Sequence, residues 1–206
     1  MTVIMANALG SGGLYSIHAQ ECTALSLKPV DEVRNAFFHF ADEYGWDQLI
    51  SEAMGEVIAE VISNGPFMTA MSTLLTPRYL WVESMFFAAQ DSQDLEEAER
   101  EFYEVEYVDP SEAVHILVAI ADRDREKLEE NGLQFVVRDS AGKVYQDSDI
   151  TVLLVYQDEG SVMGLPYYDV TYQLVVAGDF RETDHIELFV SAKGHEECAE
   201  HCWELE

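Results

Sequence analysis

The side chains best suited to chemistry stand near the end of the sequence, in the run His195-Glu196-Glu197-Cys198-Ala199-Glu200-His201-Cys202. Two imidazoles, His195 and His201, and two thiols, Cys198 and Cys202, are the ligand types that zinc prefers. Their spacing works against a shared ion, because the adjacent His201 and Cys202 would have to reach it together. If residues 199–206 form a strand, those two point to opposite faces. A Cys198–Cys202 bridge would need a helix or turn and is equally hard in a strand. The leading reading is therefore cysteines that are free or paired with Cys22; a zinc site, and with it a metal-dependent enzyme, is the alternative.

Two acidic groupings suggest calcium. Asp122, Asp124 and Glu126 alternate as in a calcium loop, but Lys127 occupies the sixth position, where an EF-hand needs glycine. Asp147, Asp149, Asp158 and Glu159 fall near predicted strand ends, where sandwich domains gather calcium. In so acidic a chain a solvated loop is the simpler explanation, and a calcium-stabilised structural domain is the competing one. Catalytic sets are missing: there is no Gly-x-Ser-x-Gly elbow, P-loop or dinucleotide fingerprint. His18, His39, His115 and His185 have no recognisable partners in the sequence. His115 falls on a predicted strand as a core residue, and His39 lies one step off a helix stripe. No catalytic, cofactor-binding or metal-ligating residue is assigned.

Forty acidic residues against eleven basic ones give a formal charge of -29 over 206 residues. That balance excludes ordinary nucleic-acid binding, which needs clustered Lys and Arg, and disfavours an anionic membrane surface. A salt-adapted cytoplasmic protein would also explain it. The most apolar stretch, residues 67–89, is broken by Pro77, Arg78 and Glu83, so no membrane span is expected. Met1 to Ala8 carries no positive charge, yet Ala6-Asn7-Ala8 resembles the end of a signal peptide, and the natural start could lie upstream. Glu21 beside Cys22 argues against a lipid anchor. Three cysteines permit at most one bridge.

The elements that must position these residues fall into two halves. Residues 1–27 read as a flexible lead-in marked by Gly10, Gly12 and Gly13. Over 28–108 the apolar spacing is helical. Val30, Val33, Phe37, Phe40 and Tyr44 stripe a first helix, and Leu49, Ala53, Val57 and Val61 stripe a second. Phe67, Met71, Leu74 and Leu75 suggest a short third. Thr76-Pro77 then caps a helix over 78–90 that is apolar on most of its circumference. Its place is the middle of a bundle or, alternatively, a partner-binding face. A last helix is expected over 92–103, capped by Asp91, Ser92 or Asp94.

From Asp109-Pro110 the period changes to two. Val114, Ile116, Val118 and Ile120 alternate, as do Leu133, Phe135 and Val137. Asp139-Ser140-Ala141-Gly142 is a turn into Val144-Tyr145. Ile150, Val152, Leu154 and Tyr156, then Tyr168 to Val176, then Ile186, Leu188 and Val190 continue the series, and Trp203 and Leu205 close it. The expectation is an α+β protein: an N-terminal helical bundle, then an antiparallel, Ig-like β-sandwich over 109–206.

Several features together resemble a group of uncharacterised bacterial exported proteins with a helical start and a sandwich-like end. They are Thr76-Pro77 opening an apolar helix; Ala121-Asp122-Arg123-Asp124 with Leu128; Asp139 to Gly142; Tyr167-Tyr168 before a long strand; and the terminal Trp203-Glu204-Leu205. The likeness spans roughly residues 28–206 and implies export and a fold, with no reaction attached. The expected function is a non-enzymatic exported or envelope-associated module, periplasmic or extracellular, that presents loops or a sheet edge to a protein partner; a cytoplasmic location is the alternative. The aromatic helix and the Tyr167-Tyr168 pair suit contacts of that kind.

Overall fold

The computed structural model describes residues 23–25, 34, 60–63, 65–162 and 164–205. Ten strands form two five-stranded sheets. β1 (Thr23–Leu25), β10 (Cys198–Leu205), β9 (His185–Ala192), β5 (Leu133–Asp139) and β6 (Val144–Gln146) lie side by side in that order. The second sheet runs β2 (Glu60–Ser63), β3 (Thr69–Leu75), β4 (Ala113–Asp122), β8 (Leu165–Ala177) and β7 (Ile150–Val162). Pairing is antiparallel throughout except at β1, which runs parallel to β10 with Thr23 opposite Trp203.

The sheets bury one shared core. β4 alternates with every second residue buried, and Ile116, Val118 and Ile120 face Val137, Leu188 and Val190 of the other sheet. Trp203 is fully buried among them. At the turn after β2, Gly65 sits at φ 49° with its α-carbon against the backbone of Cys198 and Ala199 on β10. A β-carbon there would approach Ala199 N to 2.5 Å.

A helical layer covers part of the outer face of the second sheet. α1 (Pro77–Gln90) begins where Thr76 Oγ1 accepts the Tyr79 N–H at 3.0 Å, with proline in the first turn. Asp94 caps α2 (Leu95–Glu101), accepting from the Glu96 and Glu97 N–H groups. A π-helical turn, Phe102–Glu106, follows. Trp81, Val82 and Met85 of α1 and Phe102 pack with Leu75 of β3 and Leu117 of β4 in a second apolar cluster. Arg34, which is helical, joins this layer through an ion pair to Glu99 of α2 at 2.5 Å. α3 (Arg125–Leu128) is a single turn between β4 and β5.

The expected α+β architecture with an N-terminal helical bundle is overturned. Among the described residues strand predominates, and there are three α-helices, none of them part of a bundle that precedes the sheets. Val61, assigned above to a helical stripe, belongs to β2, and Met71, Leu74 and Leu75 belong to β3. The physical reason is double burial. β3 packs against the core on one side and the helical layer on the other, so the period-two signal of a half-exposed strand is erased. The Ig-like expectation falls too, since two sheets of five differ from the seven or nine strands of that fold. The helix expected over 29–45, Arg34 apart, and most of the one after it lie outside the described residues. No helix among the described residues is long and apolar enough to cross a membrane.

Candidate functional site

Strand β10 disperses the terminal His/Cys run. His195 is exposed in the turn before it, and Cys198 is half-buried at its start. Ala199, His201 and Trp203 point into the core, and Cys202 faces the other way. Cys202 is disulfide-bonded, whereas Cys198 is a free thiol. The pairing of Thr23 with Trp203 brings the start of β1 to this part of β10. Burial, with Glu200 beside it, pushes the Cys198 thiol up to about 12, far from the thiolate needed for nucleophilic or ligand chemistry at neutral pH. Among the described residues no group of three or more His, Cys, Asp or Glu is placed to hold a metal ion.

His201 instead pairs through Nδ1 with the Ser72 hydroxyl of β3, across the sandwich. Both residues are 1% exposed. A serine and a histidine in contact could form a nucleophile and its base, but no substrate reaches a pair sealed in the core. It acts as a polar tie between the sheets. Burial holds the His201 ring at a pKa of about 4, so it is neutral across the physiological range.

The calcium-like triplet has local duties. Asp122 is buried, accepts the Asp124 N–H at 2.9 Å, and has the Lys127 ammonium 3.8 Å away. Asp124 caps α3 by accepting from the Glu126 N–H. Lys127 supplies the positive charge that a bound cation would otherwise supply. Asp147 and Asp149 belong to a 3-10 turn ahead of β7, whereas Asp158 and Glu159 lie along β7 itself, a separation of roughly 30 Å for an extended strand. The structure does not bring these two pairs together. His115, on the outer face of β4, is bonded to Gln173 at 3.0 Å, and burial lowers its pKa. His185 opens β9 opposite Glu204. His18 and His39 lie outside the described residues.

Among the described residues one long sheet edge is left open. Among the described residues, terminal strand β6 has three residues and β7 has thirteen; β1 and β2 are described over 23–25 and 60–63. Short edges are the usual protection against unwanted pairing, and a long one is a template for another strand. Among the described residues β7 pairs with β8 alone, and Leu153, Leu154, Val155 and Tyr156 on it are between 47% and 56% exposed. A bulge between Leu154 and Tyr156 changes the phase of the strand. Leu154 lies opposite Tyr172 on the core side, but Tyr156 lies opposite Thr171 on the outer side. Farther out, Asp158 stands opposite Asp169, and the Tyr167 ring covers Gly160. Burial and Asp158 together raise the Asp169 carboxyl.

The sequence was expected to present loops or a sheet edge to a partner, without these residues being singled out for that role. The signal was present: residues 152–156 are five consecutive apolar side chains, and a strand with one face in water should alternate. Ser72 was missed because serine in an apolar strand has no distinguishing spacing. In comparison with known proteins, the chain matches no family model and no curated protein.

Proposed function

We propose that this chain is a non-enzymatic binding module of an exported or envelope-associated protein, and that it engages a protein partner along the edge of β7. One observation carries the reading: a thirteen-residue strand that is terminal among the described residues and bears four consecutive exposed apolar side chains, against three residues in terminal strand β6. Strand addition to such an edge supplies main-chain hydrogen bonds for affinity and side-chain contacts for selectivity. The bonded state of Cys202 supports a location outside the reducing cytosol, where structural disulfides persist.

The test is site-specific photo-crosslinking in living cells, with a benzophenone side chain at position 154 and a control at exposed Glu196 on the far turn. The expected outcome is one discrete adduct from position 154, lost when Leu153→Lys is added, and none from position 196. Equal, diffuse adducts from both positions would reject the edge. Thiol trapping of the same cells, with Cys202 found reduced, would reject the exported location.

A further inference from the structure

We infer that the partner of β7 is an extended protein segment with an apolar centre and basic residues on both sides of it. The inference rests on β7 being the docking edge and names the chemistry of what docks there.

The edge is apolar in the middle and acidic at both ends. Val152 to Tyr156 form the middle, exposed from Leu153 onward. Asp147 and Asp149 stand before it and Asp158 and Glu159 after it, all four exposed. An added strand of about ten residues spans that distance at roughly 3.3 Å per residue. Its ends would then lie beside carboxylates, whichever direction it ran.

At the distal end one facing pair of carboxylates has no ion pair among the described residues. Asp158 and Asp169 are directly opposite in the β7–β8 register, and like charges in that relation destabilise a sheet. Arg125 pairs with neighbouring Glu159 at 2.8 Å, but among the described residues neither Asp158 nor Asp169 has a basic group in ion-pair range. A lysine or arginine from an added strand would relieve that repulsion on docking.

A second copy of the chain fits poorly. The antiparallel register that stacks the two apolar runs centres on Leu154. It therefore sets Asp149 of each copy opposite Glu159 of the other, between molecules that each carry a formal charge of -29. Like charges juxtaposed across an interface select against that partner.

The experiment uses the full oxidised chain and two fluorescent ten-residue peptides of alternating Val and Thr, one flanked by paired lysines and the other by paired glutamates. Fluorescence anisotropy at low and at high salt should show the lysine peptide binding at least tenfold more tightly than the glutamate peptide, with its affinity falling as salt rises. Asp158→Asn combined with Asp169→Asn should abolish most of that preference while leaving the melting temperature equal or higher, so loss of binding would not be loss of fold. Glu96→Gln with Glu97→Gln on α2 should leave the affinity unchanged; an equal loss there would mean nonspecific attraction and would overturn the inference. Equal binding of both peptides would overturn the basic flanks but keep the edge. If neither peptide binds while the position-154 crosslink persists, the inference alone falls; if that crosslink is also absent, the docking edge falls with it. A concentration-dependent dimer that Leu154→Lys dissolves would assign the edge to a second copy and overturn the inference.

Discussion

His201 shows how a residue that looks like chemistry in a sequence becomes structure in a fold. Its neighbours in the chain are possible ligands, but on β10 alternate residues face opposite ways, and the ring enters the core to meet Ser72. Such placement has a pH signature. The folded protein keeps the ring neutral down to about pH 4, whereas the unfolded chain binds the proton near the ordinary value of 6.5. Between those values the unfolded state holds more protons, so stability is fully present above pH 6.5 and is lost as pH falls toward 4. The loss from this one ring is about 3 kcal/mol. Urea denaturation at pH 7, 6, 5 and 4 should show it, and His201→Gln should flatten that part of the curve relative to the parent. A parallel decline in both proteins would place the acid sensitivity in the carboxylates instead.

Strands and helices were legible in the sequence to the extent that their two faces meet different surroundings. β5 and β9 alternate buried and half-buried residues without interruption, and their apolar residues stood out at every second position. The Thr76-Pro77 start of α1 was equally plain, because its cap is a local bond. β3 was hidden because both of its faces are covered; β7 was legible as a strand over Ile150 to Tyr156, but not the bulge that carries Tyr156 to the opposite face from Leu154. A register shift of that kind depends on the neighbouring strand and leaves no local mark. Gly65 belongs to this scale too, since it allows the turn between β2 and β3 to touch β10. Gly65→Ala adds a β-carbon 2.5 Å from the Ala199 nitrogen at a left-handed backbone position, and both effects oppose it. A cost of about 2 kcal/mol is expected, read as a lower melting temperature with unchanged circular dichroism at 20 °C as the approximate reference.

Across the whole molecule, the acidic surface and the shared core of the sandwich divide the work, one setting what approaches and the other what holds. The disulfide at Cys202 adds a constraint on the unfolded chain that the apolar core does not supply. Reduction, or Cys202→Ser, should lower stability by about 2–5 kcal/mol. Chemical denaturation with and without a reductant reads this directly, and superimposable curves would show that the bond is dispensable. The parallel pairing of β1 with β10 has a mechanical meaning as well. In a parallel pair the chain enters one strand and leaves the other at opposite ends. A pull applied before β1 and after β10 therefore strains their hydrogen bonds in shear, all at once, rather than peeling them singly as in a zipper. Tension on the chain would load that pair as a unit before it reached the sandwich, a load path suited to a protein held at a surface while something pulls on it.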